Sequence, residues 1–418
     1  MAKKNIRRIY KNPAIRFLIL LLIYYIAYLL TPVDYSGSSE NYSASRLGPQ
    51  LLSMLMIAYS TFYLIKNNFL LKKKPLNSFI YFLAYVIISY IVYLINGVPF
   101  SLYFLSNILK ISIWILPLFL FAFYLKKIED FSKILIIFTI IYLVYISISM
   151  YLQYGNSEEA EITGAGIGGA IFYISPIIFL IPNKRLSSWL YLIAFGLSIV
   201  SAKRTPILMM TIPFFFFGLQ IIRSLQPKDI IIIILLVSLG AFSFFSHFTN
   251  MLIERNQIDA ASGAYGSGRE IFYRIVFEGW INSNIIHFIF GFGIGAVNQL
   301  LLTKFGIAIS AHSGFLDILY SYGLIGIIIY LSVFYSLWIY RLEVKKFTPK
   351  YHKVYVMFIC IWFFQNFIIH GFSGTQFICY TIFIGYIISR VDRSKIQFKN
   401  KFIKLNTDEN RILPTSSL

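Results

Sequence analysis

The chain repeats long apolar runs separated by short polar connections, and that pattern leaves little choice of architecture. The runs are roughly 16 to 27 residues long, and about 20 apolar residues carry a helix through a bilayer. Twelve spans are expected: Ala14–Leu30, Pro49–Ile65, Ser78–Ile95, Leu102–Leu125, Ile134–Tyr154, Gly164–Ile181, Leu186–Ser201, Pro206–Ile222, Ile230–Phe248, Gly314–Tyr340, Val354–Ile369 and Gly374–Ser389. The runs are continuous rather than alternating, so they predict helices and not a barrel. Only 13% of residues are charged, against about 25% in soluble domains, which excludes a soluble globule. The fold class is therefore an all-α integral membrane protein, one polytopic domain over residues 1–418. No small-residue cleavage site follows the first span, so that span is expected to be retained.

A net charge of +20 invites a nucleic-acid partner, but the placement of the charge argues against one. Lys3, Lys4, Arg7, Arg8, Lys11 and Arg16, then Lys72-Lys73-Lys74, Lys126-Lys127, Lys345-Lys346 and the tail from Arg390 fall on alternate connections and the two tails. This is the positive-inside pattern, and it puts both termini in the cytoplasm. Membrane lipids with anionic headgroups account for these residues, and no nucleic acid is needed. Cys360 and Cys379 fall within spans and speak neither to redox compartment nor to metal binding.

With that orientation only one outer connection is long, the 63 residues of Thr249–Ala311. Within it, Gly268 to Ile281 places Phe272, Ile275, Val276 and Trp280 on one stripe of a helix. Asn284 to Leu302 is apolar but broken by Gly291, Gly293 and Gly295, which fits an interfacial or re-entrant segment. No strand precedes these glycines, so they do not read as a dinucleotide fingerprint.

The cations that break the charge rule are the ones to examine. Lys203 and Arg204 sit on the outer side between two spans, with Pro206 opening the next helix. A guanidinium near a span costs insertion energy, and a phosphate partner would offset it; snorkelling to headgroups is the plain alternative. Arg269 and Arg274 lie on the amphipathic segment, where a planar donor fork suits bidentate phosphate contacts. Arg274 has Glu270 and Glu278 one turn away on either side, so surface ion pairs also explain it; Arg269 has no such neighbour. Arg255 is a further outer cation, as are Arg46 and Lys304. His312, at the mouth of the tenth span, is suited to accept a proton from a sugar hydroxyl or to cap the helix, with Asp317 as an alternative base and His370 a weaker one. His247 and His287 read as structural. No His and carboxylate cluster with ligand spacing appears in the outer loops, so no metal or other cofactor is expected.

Three segments together resemble a known family. Ser201-Ala202-Lys203-Arg204-Thr205 resembles the Ser-x-x-Arg-Thr signature of the O-antigen polymerase and ligase superfamily. Ser267-Gly268-Arg269, then Trp280, then Gly291-Phe292-Gly293-Ile294-Gly295 resembles its Gly-Arg…Trp…Gly-x-Gly-x-Gly block. Ala311-His312-Ser313-Gly314-Phe315-Leu316 with Tyr322-Gly323-Leu324-Ile325-Gly326 resembles its His-Asn-x-x-Leu…Gly-Leu-x-Gly block, with Ser313 where the family commonly has Asn. The matches cover roughly residues 200–330. The resemblance implies a type C membrane glycosyltransferase in the bacterial inner membrane, its site facing outward. It implies a polysaccharide polymerase of the Wzy type that joins undecaprenyl-diphosphate-linked repeat units into O-antigen or capsular chains, with a chain-length regulator and a flippase as partners. Arg204 and Arg269, with Arg274, Lys203 and Arg255, would hold the diphosphate, and His312 would serve the acceptor hydroxyl. An O-antigen ligase, with lipid A–core as acceptor, shares this chemistry. A lipid-linked oligosaccharide transporter is the third reading; Lys110, within a span, is the residue that favours it.

Overall fold

The computed structural model describes residues 11–30, 47–66, 75–95, 102–128, 131–155, 170–201, 204–229, 231–232, 235, 269–306, 310–368 and 377–412. Every regular element among them is helical. In chain order these are α1 (Pro13–Leu30), α2 (Leu47–Lys66), α3 (Leu76–Ile95), α4 (Leu102–Tyr124), α5 (Ser132–Gly155), α6 (Lys184–Val200), α7 (Arg204–Ser224), α8 (Arg269–Ile281), α9 (Ile285–Phe290), α10 (Ala296–Phe305), α11 (Gly314–Phe347), α12 (Pro349–Ile368) and α13 (Ile378–Ile412). Five stretches within α2, α4, α5, α7 and α11 are long and apolar enough to cross a membrane, and α1 and α3 contain shorter apolar helices. The chain is thus an all-α protein with several helices fit to span a bilayer.

Helices immersed in lipid gain little from the hydrophobic effect and associate through close packing and interhelical hydrogen bonds. Both are visible here. Trp362 of α12 lies 5.9 Å from the Phe79 ring of α3, 6.0 Å from Trp114 of α4, 4.9 Å from Phe334 of α11 and 6.1 Å from Tyr380 of α13. Such aromatic pairs contribute about 0.5–1.5 kcal/mol each beyond area burial. Gly385 lets α13 approach α4 so closely that an added Cβ would run into the Phe121 side chain.

The ends of the bundle differ in charge. Asn12 donates to the Tyr124 carbonyl, Arg393 donates to the Ile128 carbonyl, and Lys395 pairs with Glu343 at 2.6 Å. Arg185 grips Asp229 through two bonds of 2.9 and 2.6 Å. Lys353 sits 5.2 Å from the Phe217 ring, so the start of α12 meets the last turns of α7. The basic connections therefore share one end, and Arg204, which opens α7, lies at the opposite end, where α12 closes.

Three helices carry an irregularity in mid-course, a proline within continuous helix in α4 and α7 and a true break in α11, and neighbours bond a nearby carbonyl in each. Pro117 in α4 and Pro213 in α7 lack the N–H that would bond the preceding turn. In each case the carbonyl three residues earlier finds a neighbour: Thr381 Oγ1 donates to the Trp114 carbonyl at 2.6 Å, and the Tyr191 hydroxyl donates to the Met210 carbonyl at 2.6 Å. In α11 the break is at Gly323, with φ 65° and ψ −165°, a region only glycine enters readily. The freed carbonyls of Tyr320 and Ser321 accept from the Phe292 and Gly293 amides at 2.9 Å each, and the Tyr85 hydroxyl donates to the Tyr322 carbonyl at 3.0 Å.

Two sequence expectations change. The span expected over Gly164–Ile181 is, from residue 170, a 3-10 turn Ile171–Ile174 and a single helical turn Ser175–Ile178, both buried. Pro176 and Pro182 account for this, since neither can donate to a continuing helix. The last span, expected to stop at Ser389, continues as helix to Ile412, because a polar, lysine-rich segment keeps good helix propensity after its hydropathy fades. Most of the expected span Ile230–Phe248 lies outside the described residues.

Candidate functional site

The described part of the long connection, from Arg269, is a hairpin that enters and leaves beside α11 at the same end. At the mouth, the Tyr273 hydroxyl donates to the His312 carbonyl at 3.2 Å, just before α11 begins. Six residues further along the chain, α8 has descended: a Cβ on Gly279 would lie 3.2 Å from the Tyr320 ring. The tip, α9 with Gly291–Gly295, docks against Tyr320–Gly323. Then α10 climbs back, passing Leu300 by Gly279 and bringing Phe305 to 5.3 Å from Phe272. From Gly314 to Gly323 the drop is about 13 Å at 1.5 Å per residue. Val276, Trp280, Ala296, Val297, Leu301, Ala311 and Tyr320 form the hairpin's own core.

The two glycine blocks of the sequence meet here, main chain against main chain. A Cβ on Gly291, at φ 81°, would strike the Ser321 carbonyl and the Tyr322 amide; a Cβ on Gly323 would strike the Ile289 carbonyl. Gly293 and Gly295 also carry positive φ, 93° and 77°, and turn the chain back up. These glycines set the fold of the site and form no phosphate cradle.

At the mouth, the last carbonyls of α12 become the gathering point. A helix ends with orphan carbonyls and a partial negative charge, so it attracts donors and cations. The Ser313 hydroxyl donates to the Asn366 carbonyl at 3.1 Å, the Tyr273 hydroxyl lies 3.3 Å from the Phe367 carbonyl, and Arg269 Nη1 donates to the Ile368 carbonyl at 3.2 Å. Three successive carbonyls thus take side chains from α8 and from the start of α11. Asn366 is itself fixed: its Oδ1 accepts from the Tyr330 hydroxyl at 2.9 Å, and its Nδ2 donates to the Trp362 carbonyl at 2.7 Å.

His312 has φ 57°, the only non-glycine positive φ among the described residues. That conformation costs about 1–3 kcal/mol and persists where surroundings over-determine it. Here the His312 amide donates to Ser310 Oγ at 3.3 Å, the Ala311 amide donates to the buried Asp317 carboxylate at 3.0 Å, and Tyr273 holds the His312 carbonyl. Ser313 caps α11, its Oγ accepting from the Leu316 amide at 3.5 Å. Asp317 therefore has a structural task, holding the turn that carries the imidazole. His312 itself is half-buried.

Of the residues expected to hold phosphate, the structure brings Arg269 to His312 through Tyr273. Arg274 is exposed on α8, and no ion pair joins it to Glu270 or Glu278 among the described residues. Arg204 opens α7 at this end of the bundle, with only its backbone described; Lys203, Arg255, Arg46, His247 and His370 lie outside the described residues. Lys304 is exposed on α10. His287 stacks 4.4 Å from Phe292 with Nδ1 3.1 Å from the Gly291 carbonyl, a structural place. Tyr273 was not singled out by the sequence; its spacing of four from Arg269 on one helix face was the available signal. No group of three or more potential metal-binding side chains occurs among the described residues. Comparison with protein-family models and with curated proteins finds no match for this chain.

Proposed function

We propose that this chain is a membrane glycosyltransferase, a polymerase of the Wzy type that joins undecaprenyl-diphosphate-linked repeat units. The single observation that carries the reading is that Arg269, Tyr273 and Ser313 converge on the final carbonyls of α12, with Tyr273 also bonded to the carbonyl of His312, next to Ser313. They meet at the end of the bundle away from the basic connections, which under the positive-inside rule is the outer face of a bacterial inner membrane, with both termini cytoplasmic.

In the proposed reaction the acceptor hydroxyl attacks the anomeric carbon of the lipid-linked chain. The bond from that carbon to the diphosphate oxygen breaks, undecaprenyl diphosphate leaves, and the hydroxyl proton passes to the His312 imidazole. Negative charge grows on the diphosphate as it leaves. Arg269, with Arg204 and Arg274, is proposed to meet that charge, and a fixed guanidinium would do so without reorganising. The bond to Ile368 holds the Arg269 side chain at the mouth. Lys203 and Arg255 are proposed to assist.

The test is replacement of Arg269 and of His312 by Ala in cells. Polymer ladders should vanish and single repeat units should build up, while the amount of inserted protein stays unchanged. Long lipid-linked polymer left unattached would instead assign the ligase reaction. Normal ladders from both variants would sink the proposal.

A further inference from the structure

The hairpin tip carries large apolar side chains that nothing among the described residues covers. Ile285 is 68% exposed, Ile286 64% and Phe290 52%, and Phe277 and Ile281 of α8 are exposed beside them. Such a patch on a loop in water would be a liability. This tip, however, is not at the outer rim. Its main chain is bonded to Tyr320 and Ser321, about 10 Å along α11 from Gly314. Just beyond that depth, α11 exposes Leu324, Ile328 and Leu331 on its own flank, so the patch runs into a lipid-facing stripe.

Several polar groups of the tip are bonded within the protein, while the Asn282 side chain is exposed at the turn into α9. Asn284 Oδ1 caps α9 by accepting from the His287 amide at 2.9 Å, and Trp280 Nε1 donates to the Phe288 carbonyl at 3.1 Å. The Ser283 hydroxyl donates to the Trp280 carbonyl at 2.7 Å, and the Gly291 amide bonds the His287 carbonyl at 2.8 Å. Irregular backbone survives at membrane depth only when satisfied within the protein, and here it is. Glu270, Arg274 and Glu278 instead mark a polar flank of α8, and no charged residue occurs from Asn282 to Leu302.

We propose that the tip, Ile281 to Phe290, is a wedge immersed in the hydrocarbon of the bilayer, with Ile285, Ile286 and Phe290 against lipid chains. The occupant of this patch is lipid, rather than another segment or a second copy of the chain. The proposal stands apart from any catalytic role.

The test uses the full-length protein in vesicles, with Cys360→Ser and Cys379→Ser as background. Ile286→Cys, Phe290→Cys and Arg274→Cys are each labelled from the outside with a membrane-impermeant maleimide, then with a membrane-permeant fluorophore. Expected are loss of impermeant labelling at residues 286 and 290, efficient labelling at residue 274, and quenching of the 286 and 290 fluorophores by lipids nitroxide-labelled on their acyl chains. Impermeant labelling at 286 and 290 as fast as at 274 would overturn the proposal. Protection without quenching by the acyl-chain nitroxides would also overturn it, in favour of a protein occupant. Two tip positions guard against one variant failing to fold, and recovery of monodisperse protein is required of each.

Discussion

Replacing Gly323 with Ala attacks the junction on which the site rests. The new Cβ would meet the Ile289 carbonyl, with the Gly291 amide nitrogen 2.5 Å away, and both are main-chain atoms that no rotamer change can move aside. The φ of 65° with ψ of −165° adds strain of about 1–3 kcal/mol for any residue with a side chain. If the backbones part, the bonds from Phe292 and Gly293 are lost, and each buried group left unmade costs about 1–3 kcal/mol. The total is on the order of 3–9 kcal/mol, comparable to the roughly 5–15 kcal/mol that hold a whole domain. Straightening of α11 would recover its own carbonyls through the next turn, but it would still leave the amides of the tip without partners. Both routes release the hairpin. Hydrogen exchange on the full-length protein in lipid nanodiscs should show lost protection across residues 285–306, with the aromatic centre around Trp362 still protected. Gly196→Ala is the control, since nothing lies within 4 Å of its Cβ, and alanine gains up to about 1 kcal/mol in a helix interior. Unchanged protection at Phe292 and Gly293 in the Gly323→Ala protein would refute the reasoning.

Other substitutions probe the mouth and the basic end. Ser313→Ala removes both a helix cap and a donor to the Asn366 carbonyl and should cost about 1–2 kcal/mol in thermal unfolding, whereas Ser313→Asn keeps a capping oxygen and should recover most of it. Tyr273→Phe removes the hydroxyl between His312 and α12; a net hydrogen bond of about 1 kcal/mol predicts several-fold less polymer rather than none. His352, near the start of α12, is held below its ordinary value by burial and by the charges of Lys345 and Arg341. The unfolded chain then takes up a proton first, so stability present near neutrality should fall as pH drops below about 6.5, and His352→Gln should flatten that slope in melting curves between neutral and mildly acid pH.

Hydropathy alone located most of the helices, because a span of lipid demands a block of apolar residues and nothing else supplies one. Leu102–Leu125 and Pro49–Ile65 fall within two residues of α4 and α2. What hydropathy could not register is a break inside an apolar block. Gly323 reads as one more small residue in the tenth span, yet it breaks the helix, and Pro176 reads as one more apolar residue in the sixth, yet it sits where a 3-10 turn gives way to a single helical turn. The candidate site is legible only as residue types: Arg269 and His312 stand out in the sequence as candidates, and both lie at the mouth. The link between them was not, because Tyr273 bonds main-chain carbonyls of α12, and no side-chain pattern records where a carbonyl points. The glycine blocks were visible as motifs, but their pairing depends on two turns meeting in space.

The hairpin is held at opposite ends by different means: a guanidinium and a phenol at the mouth, and two amides at the tip. A rigid strut of this kind transmits displacement along its length. Whatever moves the tip relative to α11, such as a bilayer of altered thickness squeezing an apolar wedge upward, must tug on Arg269 and on the turn of His312. If the two proposals hold, events at the mouth are tethered to the mechanics of the layer beneath it.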